Sequence, residues 1–236
     1  MAERCAVLFD LGNTLVRYWE RHEFPGLLCT GIAAVRDLLD REELLAVSEE
    51  AMWRGVKAED RGRPDHRVRP LEGRLARIFE LDAAVCSEAL LESMCARFLA
   101  PMHARGCLYE DAIPTLQAAR GKGWRTAIVS NTPWGSPAKL WRAEVERLGL
   151  AEQVDAVVFC SEAGWRKPAR QIFDYTLARL QVRPERSVFV GDDPRWDLAG
   201  PRALGMQAVL IDRWGTHDET SEPAISSLDE LWERID

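Results

Sequence analysis

The sequence lacks a long apolar run, a paired-cysteine motif and any excess of positive charge, and each absence removes a class of function. The first apolar run, Cys5-Ala-Val-Leu-Phe9, falls far short of the ~20 residues that a membrane-spanning helix needs. No signal peptide is expected, and no membrane partner. Six cysteines are present, at positions 5, 29, 86, 95, 107 and 160, but no two form a C-x-x-C pair. That scatter fits buried thiols in a reducing, cytoplasmic setting better than a zinc site or a disulfide framework. A net charge of −7 with a pI near 5.3 repels phosphate backbones and anionic lipid, so nucleic acid is not an expected partner. A locally basic pocket stays compatible with it. Internal repeats and low-complexity stretches are missing as well.

What is present is an ordinary globular composition: 236 residues, 47% hydrophobic and 29% charged. That length suits one large domain, or one domain carrying an insert. A monomer or homodimer is the expected state. Short β-rich apolar runs stand at 4–9, 124–129, 155–159, 187–191 and 207–211. Continuous runs of this kind read as strands buried on both faces of a parallel sheet. Helical patterns separate the last four, at 137–148 closed by Gly149, 169–180 after Lys167-Pro168, and 195–204 closed by Gly205. A last helix at 228–235 opens on Ser227-Leu-Asp-Glu230, the spacing of a capping box. Alternating strand and helix implies right-handed crossovers and a doubly wound, Rossmann-like α/β core.

The first two strands are too far apart for a simple crossover, which needs only ~30 residues. A helix at 112–121, with Pro114 in its first turn, supplies that crossover and leaves residues 17–106 surplus. Their apolar positions recur at helical spacing (Val35, Leu38, Leu39; Leu44, Val47, Ala51; Leu75, Ile78, Phe79; Leu90, Leu91, Met94, Phe98), predicting about four helices. The expected organisation is an α/β core of residues 1–16 and 107–236, with a helical cap domain of 17–106 able to close over a site.

Open α/β sheets bind ligands beyond the carboxyl ends of their strands. At those ends stand Asp10-Leu-Gly-Asn-Thr14, Ser130-Asn131-Thr132, and Gly191-Asp192-Asp193 with Asp197 just beyond. Lys167-Pro168 follows the third of the core strands. One site would thus gather several carboxylates, a hydroxyl and an ammonium. Crowded carboxylates repel unless a cation joins them, and oxygen donors select a hard ion such as Mg²⁺, which often binds a substrate phosphate as well.

Asp10-x-x-x-Thr14 after a hydrophobic strand, Ser130-Asn131, Lys167-Pro168 and Gly191-Asp192-Asp193 with Asp197, in that order, resemble the haloacid dehalogenase-like hydrolase superfamily. The resemblance covers about 10–17 and 107–236, and the insert falls where that family places its helical cap. It implies a Mg²⁺-dependent phosphatase acting on a small phosphorylated metabolite. Asp10 would attack phosphorus and form an aspartyl-phosphate. The carboxylates of Asp10 and Asp192 and the carbonyl of Gly12 would hold Mg²⁺. Ser130 and the amide of Asn131 would bind the phosphoryl group, and Lys167 would offset its charge. Asp193 and Asp197 would order metal-bound waters or orient Lys167, with Thr14 in the same outer layer.

One position departs from the pattern. Most phosphatases of this family carry a second aspartate two residues after the nucleophile, to protonate the leaving oxygen and later activate water, and here that position is Gly12. Losing a general acid–base group costs roughly 10²–10⁴-fold in rate. Three readings follow: a substrate with a good leaving group, a proton donor from the cap (Glu20, His22, Glu23 or His66), or a slow or inert, phospho-ligand-binding protein. The dehalogenase branch also lacks this aspartate, but Gly12 does not match its Asp-x-Tyr-Gly-Thr segment.

Two further features of the insert and its surroundings call for a reading. Arg61, Arg63, His66, Arg67 and Arg69 form a basic run in an acidic chain, either a solvated face or a source of arginines for a second anionic group on the substrate. Trp134 and Trp165, beside the second and third motifs, either stack on a substrate ring or bury a contact between the insert and the core.

Overall fold

The computed structural model describes residues 5–60, 64–215 and 223–235. Its centre is a six-stranded sheet of order β5-β4-β1-β6-β7-β8. The strands are β1 (Ala6–Phe9), β4 (Arg125–Ser130), β5 (Ala156–Phe159), β6 (Ser187–Gly191), β7 (Gln207–Ile211) and β8 (Ala224–Ile225). Every neighbouring pair runs parallel. The five predicted strands are all present, within a residue or two at their ends; β8 is an addition of two residues that carried no apolar run.

Alternation across the pleat explains why β1 is apolar throughout. Val7 and Phe9 enter one core cluster, and Ala6 and Leu8 enter the other, because successive side chains point to opposite faces. All four are fully buried. The second face is covered by α8 (Arg170–Leu180), whose Ile172, Phe173, Thr176, Leu177 and Leu180 repeat at helical spacing and are buried. The first face is covered by α5 (Ala112–Gly121), α6 (Ala138–Arg147) and Leu228 and Leu231 near the chain's end.

The strand order switches sides at β1, which lies between β4 and β6: later strands are added first on one side of it and then on the other. A parallel sheet opens a crevice at such a point, beyond the carboxyl ends of the flanking strands. Asp10, Ser130 and Asp192 follow or end those three strands.

The insert leaves and re-enters the core through a two-stranded antiparallel ribbon, β2 (Val16–Arg17) against β3 (Cys107–Leu108). Between them the described residues form four helices: α1 (Phe24–Arg41), α2 (Glu49–Glu59), α3 (Leu71–Ile78) and α4 (Glu88–His103). Leu44 and Val47, expected to be helical, lie in the connector before α2. That helix begins only after Ser48, whose hydroxyl accepts the Ala51 N–H at 3.2 Å, so the N-cap overrides the apolar spacing.

The predicted helix at 195–204 is instead a wide π-type turn over Pro194–Leu198 followed by a short α9 (Ala199–Ala203). The one at 228–235 is a 3₁₀ turn over Leu228–Glu230 leading into α10 (Leu231–Arg234), and the Ser227–Glu230 capping box is present. One further short helix, α7 (Cys160–Ala163), follows β5. No helix among the described residues is long and apolar enough to cross a membrane.

Candidate active site

The carboxyl ends of β1, β4 and β6 open into a cleft of about 1000 Å³ that residues of the insert help to line. Its floor is ionic. Lys167 Nζ donates to Asp10 Oδ1 at 2.6 Å and stands 2.7 Å from Asp197 Oδ1. The Lys167 and Asp197 side chains are only 2% and 1% exposed. Burial alone would discharge a lysine, but Asp10 and Asp197 outweigh it and hold the Lys167 ammonium above its ordinary pKa.

Asp192 completes the cluster. One oxygen from each of Asp10, Asp192 and Asp197 lies within 4.8 Å of the others. Burial first, and then the charges of Asp10 and Asp197, push the Asp192 carboxyl well above the usual range, and burial raises Asp197 too. Three carboxylates around one lysine are relieved by a cation, and an all-oxygen donor set suits Mg²⁺.

Local backbone chemistry arranges these groups. Asn13 takes a left-handed conformation with φ 56°, which asparagine adopts more readily than most residues. Its amide donates to the Trp19 carbonyl at 3.0 Å and reaches Asp192 Oδ2 at 3.4 Å. The Asn131 side chain clamps the lysine loop from both sides, accepting the Lys167 N–H at 2.8 Å and donating to the Lys167 carbonyl at 3.2 Å. The π-type turn brings Asp197 back under β6, where its Oδ2 accepts the Asp193 N–H at 3.1 Å. Gly191 makes that approach possible, since a Cβ there would run into the Asp197 carboxylate.

The residues singled out from the sequence divide accordingly. Asp10, Gly12, Ser130, Asn131, Lys167, Asp192, Asp193 and Asp197 all line the cleft. Asp193 turns its side chain to cap its own turn, accepting the Arg195 N–H at 2.9 Å, and only its backbone meets Asp197. Thr14 does not line the cleft; it is fully buried behind the first motif, and its carbonyl accepts Arg213 Nη2 at 2.6 Å.

Among the proton-donor candidates, Glu20 and His22 line the cleft, with His22 Nδ1 3.4 Å from Glu20. Glu23 is held by Arg105 and the Glu20 N–H. His66 sits edge-on to Trp196, with ring centroids 5.9 Å apart, and lines no part of the cleft.

Both tryptophans join the insert to the core. Trp134 stacks on Phe98 of α4 at 5.9 Å and under the Arg74 guanidinium of α3 at 4.8 Å. Trp165 lies under Arg67 at 4.5 Å. Trp134 also lines the cleft. Within the basic run, Arg69 lines the cleft while Arg67 is spent on Trp165; Arg61 and Arg63 lie outside the described residues.

Sequence reasoning missed Arg74, Arg166 and Arg213, which also line the cleft. Arg213 is bidentate to Asp111 at 2.8 and 2.9 Å and lies 3.7 Å over the Tyr109 ring. It therefore braces the first motif against the start of α5. No local pattern in the sequence marks these partners, which stand a hundred residues apart.

Comparison with known proteins agrees with this architecture. A model of the haloacid dehalogenase-like hydrolases matches residues 6–205. The chain is 32% identical over 223 residues to a ribulose-1,5-bisphosphate 5-phosphatase of Halopiger xanaduensis, covering 91% of this chain and 87% of that one. A phosphatase from Thermococcus onnurineus superposes with a TM-score of 0.67 at 30% identity, covering 98% of this chain and 97% of that one. A 2-haloacid dehalogenase from Pseudomonas syringae pv. Tomato does so with 0.70 at 25% identity and the same coverage. A family match over residues 6–205, which take in β1, β4 and β6, settles the family: the chain belongs to the haloacid dehalogenase-like hydrolases.

Proposed function

We propose that the chain is a Mg²⁺-dependent phosphatase that hydrolyses a small phosphorylated metabolite through an aspartyl-phosphate on Asp10. The observation that carries this reading is the pairing of Lys167 with both Asp10 and Asp197, beside Asp192, at the floor of the cleft. Relatives with phosphatase names, from Halopiger xanaduensis and Thermococcus onnurineus, support it.

Asp10, Asp192 and the Gly12 carbonyl would hold the ion, which when bound neutralises phosphoryl oxygens and orients them for in-line attack. Lys167 occupies Oδ1 of Asp10 and leaves Oδ2 as the oxygen free of the lysine. That oxygen forms the new O–P bond as the bond to the leaving oxygen breaks. Ser130 and the Asn131 amide hydrogen-bond the transferring group, and Lys167 balances charge that grows on it. Water then cleaves the aspartyl-phosphate, returning Asp10 and releasing inorganic phosphate. With glycine at position 12, the proton for the leaving group comes from Glu20 or His22 across the cleft, or the leaving group needs none. The insert acts as the cap that keeps bulk solvent from the site while the water of the second step is admitted.

The test is phosphate release from an aryl phosphate. Turnover should vanish on chelation and in Asp10→Asn; turnover that survives either treatment would sink the reading. The likeness to a 2-haloacid dehalogenase makes halide release from a 2-haloacid the matching control, expected to be negative.

A further inference from the structure

The cleft also carries a group of arginines, with Asp60 lining it beside Arg74. Arg69, Arg74 and Arg166 all line it, although the chain as a whole carries a net charge of −7. They strain one another electrostatically. Burial first, and then the charge of Arg69, hold the Arg74 guanidinium down to about 10, with Arg166 adding to the effect. Burial, Arg195 and Arg69 likewise lower Arg166.

The Nε atoms of Arg74 and Arg166 are buried without a hydrogen-bond partner. Glu59 answers Arg74 only in part: its carbonyl accepts Arg74 Nη2 at 3.1 Å, while its carboxylate is taken by Arg77 at 2.6 and 3.1 Å and stands 3.6 Å from Arg74 Nε. Buried guanidinium N–H groups without acceptors are costly to keep. Their presence in a ligand cleft points to an acceptor that arrives with the ligand.

The backbone holds these arginines in place before anything binds. The Arg166 N–H donates to the His66 carbonyl at 2.8 Å, the Val68 N–H donates to the Gly164 carbonyl at 3.1 Å, and Arg67 bridges Trp165 between them. A short antiparallel pair thus pins the insert's basic segment to the loop that carries Lys167. Gly135, at φ 70°, lets the Arg69 carbonyl seat against the loop after β4, where a Cβ would collide with it. Arg166 is the immediate neighbour of Lys167, so the arginine group and the phosphoryl-binding floor share one loop.

We propose that Arg69, Arg74 and Arg166 form a second anion site that takes a phosphate, so that the substrate is a small bisphosphate. The inference rests on the phosphohydrolase reading for its first phosphate. A dianion with three acceptor oxygens matches several forked guanidinium donors better than a single carboxylate does.

The experiment compares matched mono- and bisphosphates of three-, five- and six-carbon sugars on wild-type protein and on Arg74→Gln, Arg166→Gln and Arg166→Lys, with circular dichroism to confirm folding. In at least one pair kcat/KM should favour the bisphosphate about tenfold or more, the scale of one charge-assisted hydrogen bond. Each glutamine variant should cut that ratio about tenfold, and Arg166→Lys should restore part of it, because lysine keeps the charge without the fork. Bisphosphates no better than monophosphates in every pair, or a preference untouched by all three variants, would overturn the proposal.

Calorimetry on Asp10→Asn protein reads the anion site without turnover. Tighter binding of a bisphosphate than of its monophosphate, lost in the added Arg166→Gln change, supports the site even if no compound is hydrolysed. Equal binding of both rejects it while leaving the phosphatase reading to the aryl phosphate assay.

Discussion

The ammonium of Lys167 stands 2.7 Å from Oδ1 of Asp197, with both side chains almost wholly enclosed. Asp197 is thereby ion-paired with the lysine on one side while Asp10 accepts its hydrogen bond on the other. On the proposed mechanism Asp197 acts through Lys167 rather than on substrate. Asp197→Asn should lower kcat by about 10–100-fold, the usual cost of losing an orienting partner, with KM changed far less. Steady-state kinetics on an aryl phosphate measures both. A variant that loses KM and keeps kcat would place Asp197 in ground-state binding instead.

Gly191 and Asp197 form a linked pair because a Cβ at 191 would enter the space of the Asp197 carboxylate. Gly191→Ala should destabilise the fold by about 1–3 kcal/mol through overpacking and lose activity as Asp197→Asn does. Removing the clashing side chain down to the backbone should relieve the strain, because the Asp197 Cβ is itself part of the clash. The double variant Gly191→Ala/Asp197→Gly is therefore expected to be less destabilised, in urea titrations, than the sum of its single changes. Strict additivity would show that the two positions do not meet.

Much of this arrangement was legible in the sequence, for identifiable reasons. The strands of the sheet are buried on both faces, so β1, β4 and β6 appear as continuous apolar runs, and the polar residues that end them mark the cleft. Asp10, Ser130, Asn131, Lys167, Asp192 and Asp197 could be grouped because a strand's end is a place as well as a position in sequence.

What stayed hidden depends on contacts between distant segments. Arg74 looks like one more charged residue of an amphipathic helix, and only its packing on Trp134 brings it to the cleft. The pairing of 66–68 with 164–166 involves two short segments with no alternating pattern. The turn at Pro194–Leu198 reads as a plain helix, since a π-type turn differs from an α-turn by one added residue and leaves no compositional mark.

Asp111 ties three segments together, accepting from Arg213, from Ser227 Oγ at 2.9 Å and from the Leu228 N–H at 2.9 Å. Burial raises its carboxyl, but the Arg213 hydrogen bonds and the Leu228 N–H outweigh it, and the folded pKa lies below the ordinary 3.8. A carboxyl lowered on folding adds stability above its unfolded pKa and loses it as pH falls through the folded value. Asp111→Asn should therefore cost about 3 kcal/mol at pH 7, the scale for breaking a buried pair. The gap from wild type should narrow as pH falls below the usual carboxylate range. Urea midpoints at pH 7 and at successive acid pH values check both parts; a gap independent of pH would remove Asp111 from the acid limb.

The missing acid at position 12 leaves room for its replacement. A Cβ on Gly12 would meet only Tyr18 Cδ2, at 3.9 Å, and the backbone there is not in the left-handed region. Gly12→Asp should therefore fold without strain and place a carboxyl in the cleft beside Asp10. General acid help matters most where the leaving group is a poor one, and a positioned acid contributes roughly 10²–10⁴-fold. Turnover of an alkyl phosphate should rise at least tenfold, while an aryl phosphate with its good leaving group should gain much less. A parallel pH–rate profile should show a new descending limb from the added acid. If neither rate changes, proton donation is already supplied from the insert, and Glu20→Gln and His22→Gln then become the variants expected to slow the alkyl phosphate selectively.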